Sequence, residues 1–302
     1  MKKSIKLPLW STSFVLIMGL LLFACNTAKN VAKSNNTSDS LAKSLLWKVT
    51  GPDIQDSYLF GTIHVLPQSQ FKLQAGVEEA FASADKIILE LDMDDPGLQM
   101  EMMQYAKMPD GQNLEQLLTE EEYDQLDRWI QKSAGVKLQM VHTMQPLLLT
   151  SLILSEYIDG PPASYELSFV QMAKAQEKEV LGLETVAEQM GAIGDYGLEN
   201  QIRDLKKMLA EPESVKTGFE QLLAAYQSED ADGIYDYMQS QMTGTGMNAS
   251  LLEKRNQNWV PRIKEFAAEQ SCFFAVGSGH LGGEQGMIRL LRAAGYTLTP
   301  VQ

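Results

Sequence analysis

Histidine and cysteine are both scarce in this chain: of 302 residues, three are histidine (His64, His142 and His280) and two are cysteine (Cys25 and Cys272). Cys25 closes an N-terminal apolar segment, which leaves Cys272 without an intrachain partner and excludes a disulfide framework. Basic residues are few, 25 against 39 acidic ones, for a net charge of −14. A phosphate backbone would be repelled, so nucleic acid is excluded as a partner. The acidity suits solubility, a cation or a basic peptide. The chain has no Gly-x-x-x-x-Gly-Lys loop, no Gly-x-Ser-x-Gly elbow and no His-Glu-x-x-His helix, which removes three common designs for nucleotide binding and hydrolysis. No apolar run reaches the roughly 20 residues of a membrane-spanning helix.

What is present starts at the N-terminus. Lys2, Lys3 and Lys6 precede an apolar run over 14–23, which ends in Leu22-Phe-Ala-Cys25. That order is a signal peptide, and its ending resembles the lipobox at which bacteria acylate a cysteine and cleave before it. The expectation is a signal peptide over 1–24, a palmitate-type lipid on Cys25, and an extracytoplasmic protein anchored to the cell membrane or outer membrane. Asn26 is not the aspartate that retains lipoproteins in an inner membrane, which favours the outer one where two exist. Residues 25–44 are rich in Asn, Ser, Thr, Ala and Lys, too polar to bury a core, and are expected to form a flexible tether. The remainder, 45–302, is long enough for one large domain.

Within that domain short apolar runs alternate with helical stretches, the pattern of an α/β fold with a central mixed or parallel sheet. Strands are expected over 45–50 and 57–62, as a hairpin around Gly51-Pro52-Asp53, and over 86–92, 179–184, 271–277 and 296–301. Between them, about 96–177 carries helical signals: Asn113 opens one, Thr119 with Glu122 is a capping box, and 145–158 is an apolar stretch too short to span a bilayer. This segment is expected to be a helical insertion or cap. A second helical block runs over 186–266, with a break at Gly244-Thr-Gly246. The strands ending in Glu90 and Glu184 resemble one another, as do those ending in His64 and His280, which suggests a core of two similar halves.

The chemistry concentrates at strand ends. Gly61-Thr-Ile-His64 and Gly277-Ser-Gly-His280 place two of the three histidines at the same spacing after a strand and a glycine. The C-terminal ends of parallel strands converge on the crevice where ligands bind, and each glycine is expected to adopt a backbone conformation closed to other residues and to admit a close neighbour. Paired imidazoles suit a divalent metal such as zinc, manganese or cobalt. Glu90, inside Ile-Ile-Leu-Glu-Leu, is expected to be buried; it completes the coordination or pairs with a basic side chain. Glu184 has the same logic, or caps the helix opening at Thr185. By spacing alone Arg255 and Asn256 are surface residues, and His142 is structural.

Taken together, Leu46-Trp47, Tyr58-Leu-Phe-Gly-Thr-Ile-His-Val-Leu-Pro67, Leu89-Glu-Leu-Asp92, Gly182-Leu-Glu-Thr185, Arg255-Asn-Gln-Asn-Trp259 and Val276-Gly-Ser-Gly-His-Leu-Gly-Gly283 resemble the TraB/GumN family, related to the animal Tiki proteins. The resemblance implies an α/β core with a helical cap. It also implies a metal-dependent peptidase site in which His64, His280 and Glu90 hold the metal, while Glu184, Arg255 and Asn256 line the same crevice. More distant relatives of the fold include haem-binding lipoproteins and erythromycin esterases. The sequence-based expectation is a metallohydrolase acting on a peptide or small molecule. Its rival is a non-catalytic lipid-anchored binder of a peptide, pheromone-like, or of haem.

Overall fold

The computed structural model describes residues 40–242 and 249–301. The signal peptide, Cys25, most of the tether and the break at Gly244-Thr-Gly246 lie outside the described residues.

The apolar runs form a six-stranded mixed sheet in the order β6-β4-β7-β2-β1-β8. Its strands are β1 (Leu46–Thr50), β2 (Ser57–Thr62), β4 (Lys86–Leu89), β6 (Glu179–Gly182), β7 (Cys272–Gly277) and β8 (Thr297–Val301). Two short strands, β3 (Leu66–Pro67) and β5 (Pro162–Ala163), pair separately. β1 and β2 form the expected hairpin, in register from Leu46↔Phe60 to Val49↔Ser57, and Asp53 takes the positive φ, 61°, of its turn. β8 closes the edge antiparallel to β1. The other four strands, β6, β4, β7 and β2, run parallel side by side. The two expected halves therefore alternate across the sheet, one strand of each in turn.

Every residue of β7 is buried, which is why Cys-Phe-Phe-Ala-Val-Gly reads as a continuous apolar run: helices cover both faces of a parallel sheet and leave no wet side. Phe273 packs against Phe81, Phe169 and Phe60 with ring centroids 5.4, 5.1 and 6.1 Å away. Between β4 and β6 the chain is largely helical, from Leu98–Tyr105 through Glu120–Ala134 and Pro146–Leu154 to Tyr165–Ala175. Thr119 and Glu122 form both halves of a capping box, and Gly135 ends that helix at φ 70°, where a side chain would be strained. Among the described residues no helix is long and apolar enough to cross a membrane.

Candidate active site

Four of the candidate side chains stand at the C-terminal ends of the four parallel strands. Glu90 directly follows β4, His64 follows β2, His280 follows β7 and Glu184 follows β6. Pairing continues one step past the strands, with Leu183 N–H donating to Leu89 O (2.8 Å) and Glu184 N–H to Glu90 O (3.0 Å). The two carboxylates thus leave neighbouring strands side by side.

Two buried carboxylates repel unless a cation lies between them. Arg255, in the first turn of the helix Lys254–Glu269, fills that position. Its Nη2 donates to Glu90 Oε2 (2.6 Å) and Glu184 Oε1 (2.5 Å), its Nε to both Glu184 oxygens (3.0 and 3.1 Å), and its Nη1 to Leu251 O (2.9 Å) and His280 Nε2 (3.1 Å). All five guanidinium N–H groups are engaged. The surface position that spacing assigns to Arg255 and Asn256 is wrong: both are buried, because this turn faces the sheet. Glu184 is not a helix cap either, since Thr185 caps its helix with Glu188 while Glu184 also accepts from Trp259 Nε1 (3.1 Å). Burial pushes the Glu184 carboxyl up despite the guanidinium. Burial acts the same way on Glu90, but Arg255, the nearby imidazoles and the Gly277 N–H more than offset it and hold Glu90 well below the usual range.

The two imidazoles are held differently. Asn256 donates its amide N–H groups to the carbonyls of His280 (3.2 Å) and Gln285 (2.8 Å), so its Oδ1 accepts from His280 Nδ1–H at 2.6 Å. His280 Nε2 therefore carries no proton and accepts from Arg255 Nη1. Burial and then Arg255 lower the His280 pKa to about 3, and the Trp259 ring lies against it, tilted by 38° with centroids 4.4 Å apart. His64 Nδ1 instead lies 2.6 Å from Glu166 Oε1, and Glu166 also accepts from Thr62 Oγ1 (2.6 Å) and Ser164 Oγ (2.8 Å). Burial disfavours the His64 imidazolium, but the Glu166 charge and hydrogen bond outweigh it and raise the pKa to about 9. Both Nε2 atoms face one oxygen, Glu90 Oε1, at 3.9 Å from His64 and 3.8 Å from His280.

The motif glycines serve close approach. Gly277 has φ −53°, open to any residue, and Gly61 is not among the positive-φ glycines, so the expected special backbone conformation is absent at both. A Cβ on Gly277 would lie 2.9 Å from His64 Nε2 and 3.3 Å from Glu90 Oε1. A Cβ on Gly61 would lie 2.5 Å from Leu281 Cδ1 and 3.2 Å from Ser278 Cα. Each motif's glycine makes room for the other motif.

With this geometry in view, residues 45–300 match the model of the TraB/PrgY/gumN family. The chain belongs to this family. Among its relatives are the metalloprotease TIKI2 of Danio rerio, 25% identical over 86% of this chain and 61% of its own length; the metalloprotease TIKI1 of Danio rerio, 24% identical over 95% and 69%; and the metalloprotease TIKI1 of Homo sapiens, 24% identical over 84% and 61%. The chain thus spans a little under two thirds of the length of the first of these. No solved structure matches it significantly.

Metalloprotease relatives suggest a divalent metal, and imidazole and carboxylate are donor types that such an ion takes. Two imidazole Nε2 atoms and one carboxylate oxygen converge where Gly277 leaves space, and each imidazole is fixed through Nδ1 by an outer partner, as metal-bound histidines are. Among the described residues no three His, Cys, Asp or Glu side chains already stand close enough to grip an ion. His280 Nε2 is instead occupied by Arg255 Nη1, and the two Nε2 atoms stand 3.9 and 3.8 Å from Glu90 Oε1.

Two residues of the site escaped sequence reasoning, Glu166 and Gln189. Glu166 shares an i, i+3, i+7 face with buried Phe169 and Ala173, and Gln189 shares one with Val186, Met190 and Ile193. A polar residue on an apolar helical face was the available signal. His142 lies outside the site; its Nδ1 is buried without a hydrogen-bond partner among the described residues.

Proposed function

We propose that this chain is a divalent-metal-dependent peptidase in which His64, His280 and Glu90 hold the ion. The observation that carries the proposal is the convergence of two Nε2 atoms on Glu90 Oε1, each ring anchored through Nδ1. A bound manganese, cobalt or zinc ion would polarise the scissile carbonyl and lower the pKa of a water towards about 7. The chain's own residues prepare that chemistry. Glu166 and Asn256 orient the two imidazoles, Gly277 keeps the space before them open, and Arg255 lies between Glu90 and Glu184 and offsets part of their buried charge. Arg255 has no idle N–H with which to meet an oxyanion. The Nη1–H now given to His280 Nε2 would be free to meet a developing negative charge if that nitrogen held a metal.

A haem reading through His280 fits less well, because that ring is 3% exposed and lies under Trp259, with no open face for a macrocycle. To test the proposal, a soluble form starting near residue 40, which keeps the buried Leu41, is titrated with manganese and cobalt and assayed on quenched peptides. Wild type is expected to bind metal and cleave, and the His64→Ala/His280→Ala double variant to do neither. Equal metal binding by both, with no cleavage by either, refutes it.

The same proposal tethers the enzyme to the outer face of a cell membrane, or to an outer membrane, through a lipid on Cys25. Radiolabelled fatty acid is expected to enter the wild-type chain and not Cys25→Ala; equal labelling refutes the anchor.

A further inference from the structure

Gln189 lies in the second turn of the helix Val186–Tyr196, is 4% exposed, and donates its Nε2–H to Glu90 Oε2 at 3.2 Å. Its Oε1 is buried and has no hydrogen-bond partner among the described residues. The amide cannot be turned over to relieve this. Glu90 Oε2 already accepts from Arg255 (2.6 Å), so the face of the amide towards it must be the donor, and the carbonyl oxygen must face away. Leaving a buried acceptor unpaired is costly. The nearby donors that could relieve it are committed elsewhere. Arg255 uses all five N–H groups, the Asn256 amide holds two carbonyls, Trp259 Nε1 holds Glu184 and Gly277 N–H holds Glu90 (2.7 Å). None of these donors is spare for Oε1, which leaves it open to a donor that the site receives.

We propose that Gln189 contacts the substrate, its Oε1 accepting a backbone N–H of the bound peptide while its Nε2 holds Glu90 in position. This rests on the peptidase reading: a backbone amide is the N–H donor that every peptide carries whatever its side chains. Donation to a carboxylate polarises the Gln189 amide and makes its oxygen a stronger acceptor, so one side chain couples substrate position to the carboxylate that faces both imidazoles.

The experiment uses the processed chain loaded with manganese and a mixed library of internally quenched peptides, scored separately for binding and for cleavage. The best peptide is then remade with each backbone amide in turn replaced by an ester, which removes one N–H and leaves the shape. In wild type one ester position is expected to lower kcat/KM about tenfold, the effect of one buried hydrogen bond. In Gln189→Met the all-amide peptide is expected to lose about the same factor, and that ester to cost nothing more. Gln189→Asn, whose oxygen is drawn back by one methylene, is expected to behave likewise and serves if the Met variant does not fold. The proposal is overturned if either folded variant matches wild type, or if a variant weakens every amide and ester peptide equally, as a purely structural role would. Binding without cleavage removes the peptidase reading, and the same amide–ester comparison is then made on Kd. A library that is neither bound nor cleaved overturns both.

Discussion

The His64 and His280 motifs begin alike, with a strand, a glycine and an imidazole three residues on, yet the fold surrounds the two rings with opposite charge. Glu166 stands on His64 Nδ1, and the ring is held protonated with a pKa of about 9. A neutral amide stands on His280 Nδ1 and a guanidinium on its Nε2, and burial beside Arg255 takes that pKa to about 3. The side chain of His64 is 23% exposed and that of His280 is 4%. The surroundings thus favour a proton on the His64 ring, while the His280 ring is kept neutral with its Nε2 facing the Arg255 guanidinium. The difference teaches that two copies of one motif divide their labour through outer partners on other elements, and that Glu90, facing both, joins them.

The change that breaks this comparison most severely removes the shared member. Glu90→Ala leaves Arg255 with one carboxylate and strips both Nε2 atoms of their common neighbour; the expected cost is about 3–5 kcal/mol in denaturant unfolding, with loss of metal binding, while Glu90→Gln retains more stability and no activity. Removing the outer partners sharpens the comparison. Glu166→Ala and Asn256→Ala are each expected to weaken manganese affinity by about 10–100-fold in a metal titration, and a variant that leaves the affinity unchanged, with the double matching the other single, would show that its ring does not bind the ion. The glycines separate the motifs further. Gly277→Ala directs a methyl at His64 Nε2 and Glu90 Oε1 and is expected to abolish cleavage. Gly61→Ala meets the movable end of Leu281 first and is expected to cost about 1–3 kcal/mol of stability with part of the activity kept. The smallest effect lies outside both motifs, at the partly exposed pair Glu188–Arg262. Arg262 hydrogen-bonds Glu188 and lowers its pKa from 4.5 to about 2. A depressed carboxylate stabilises above its ordinary pKa and loses that contribution as pH falls through about 2, so Arg262→Gln should reduce thermal stability slightly at pH 7 and not at pH 2.

Much of this site was legible in the sequence. Gly-x-x-His at two strand ends marks His64 and His280, and a glutamate within Ile-Ile-Leu-Glu-Leu marks Glu90, because strand period and apolar flanks are local properties. Arg255 and Asn256 were legible only through family resemblance. On a helix whose buried face also includes Trp259 and Ile263, a charged residue reads as solvated until a partner is known, and its partners Glu90 and Glu184 lie 165 and 71 positions away. Glu166 and Gln189 were hidden for the same reason. An acidic residue in a first helical turn already has a local explanation in the helix dipole, and nothing local says that its carboxylate meets a histidine 102 residues earlier.

While the short strands β3 and β5 went unseen, the sequence by itself determined the six strands of the main sheet and that four of them lead into two imidazoles and two carboxylates. These follow from side-chain period, turn chemistry and composition, each read over a few neighbouring residues or over the whole chain. Only the tertiary structure decided that β6, β4, β7 and β2 lie side by side, which groups the four ends in one crevice. It also decided that Arg255 sits between two carboxylates, and that one histidine is protonated and the other is not. Protonation depends on charge and burial within a few ångströms, and those neighbours come from segments that meet only when the chain is folded.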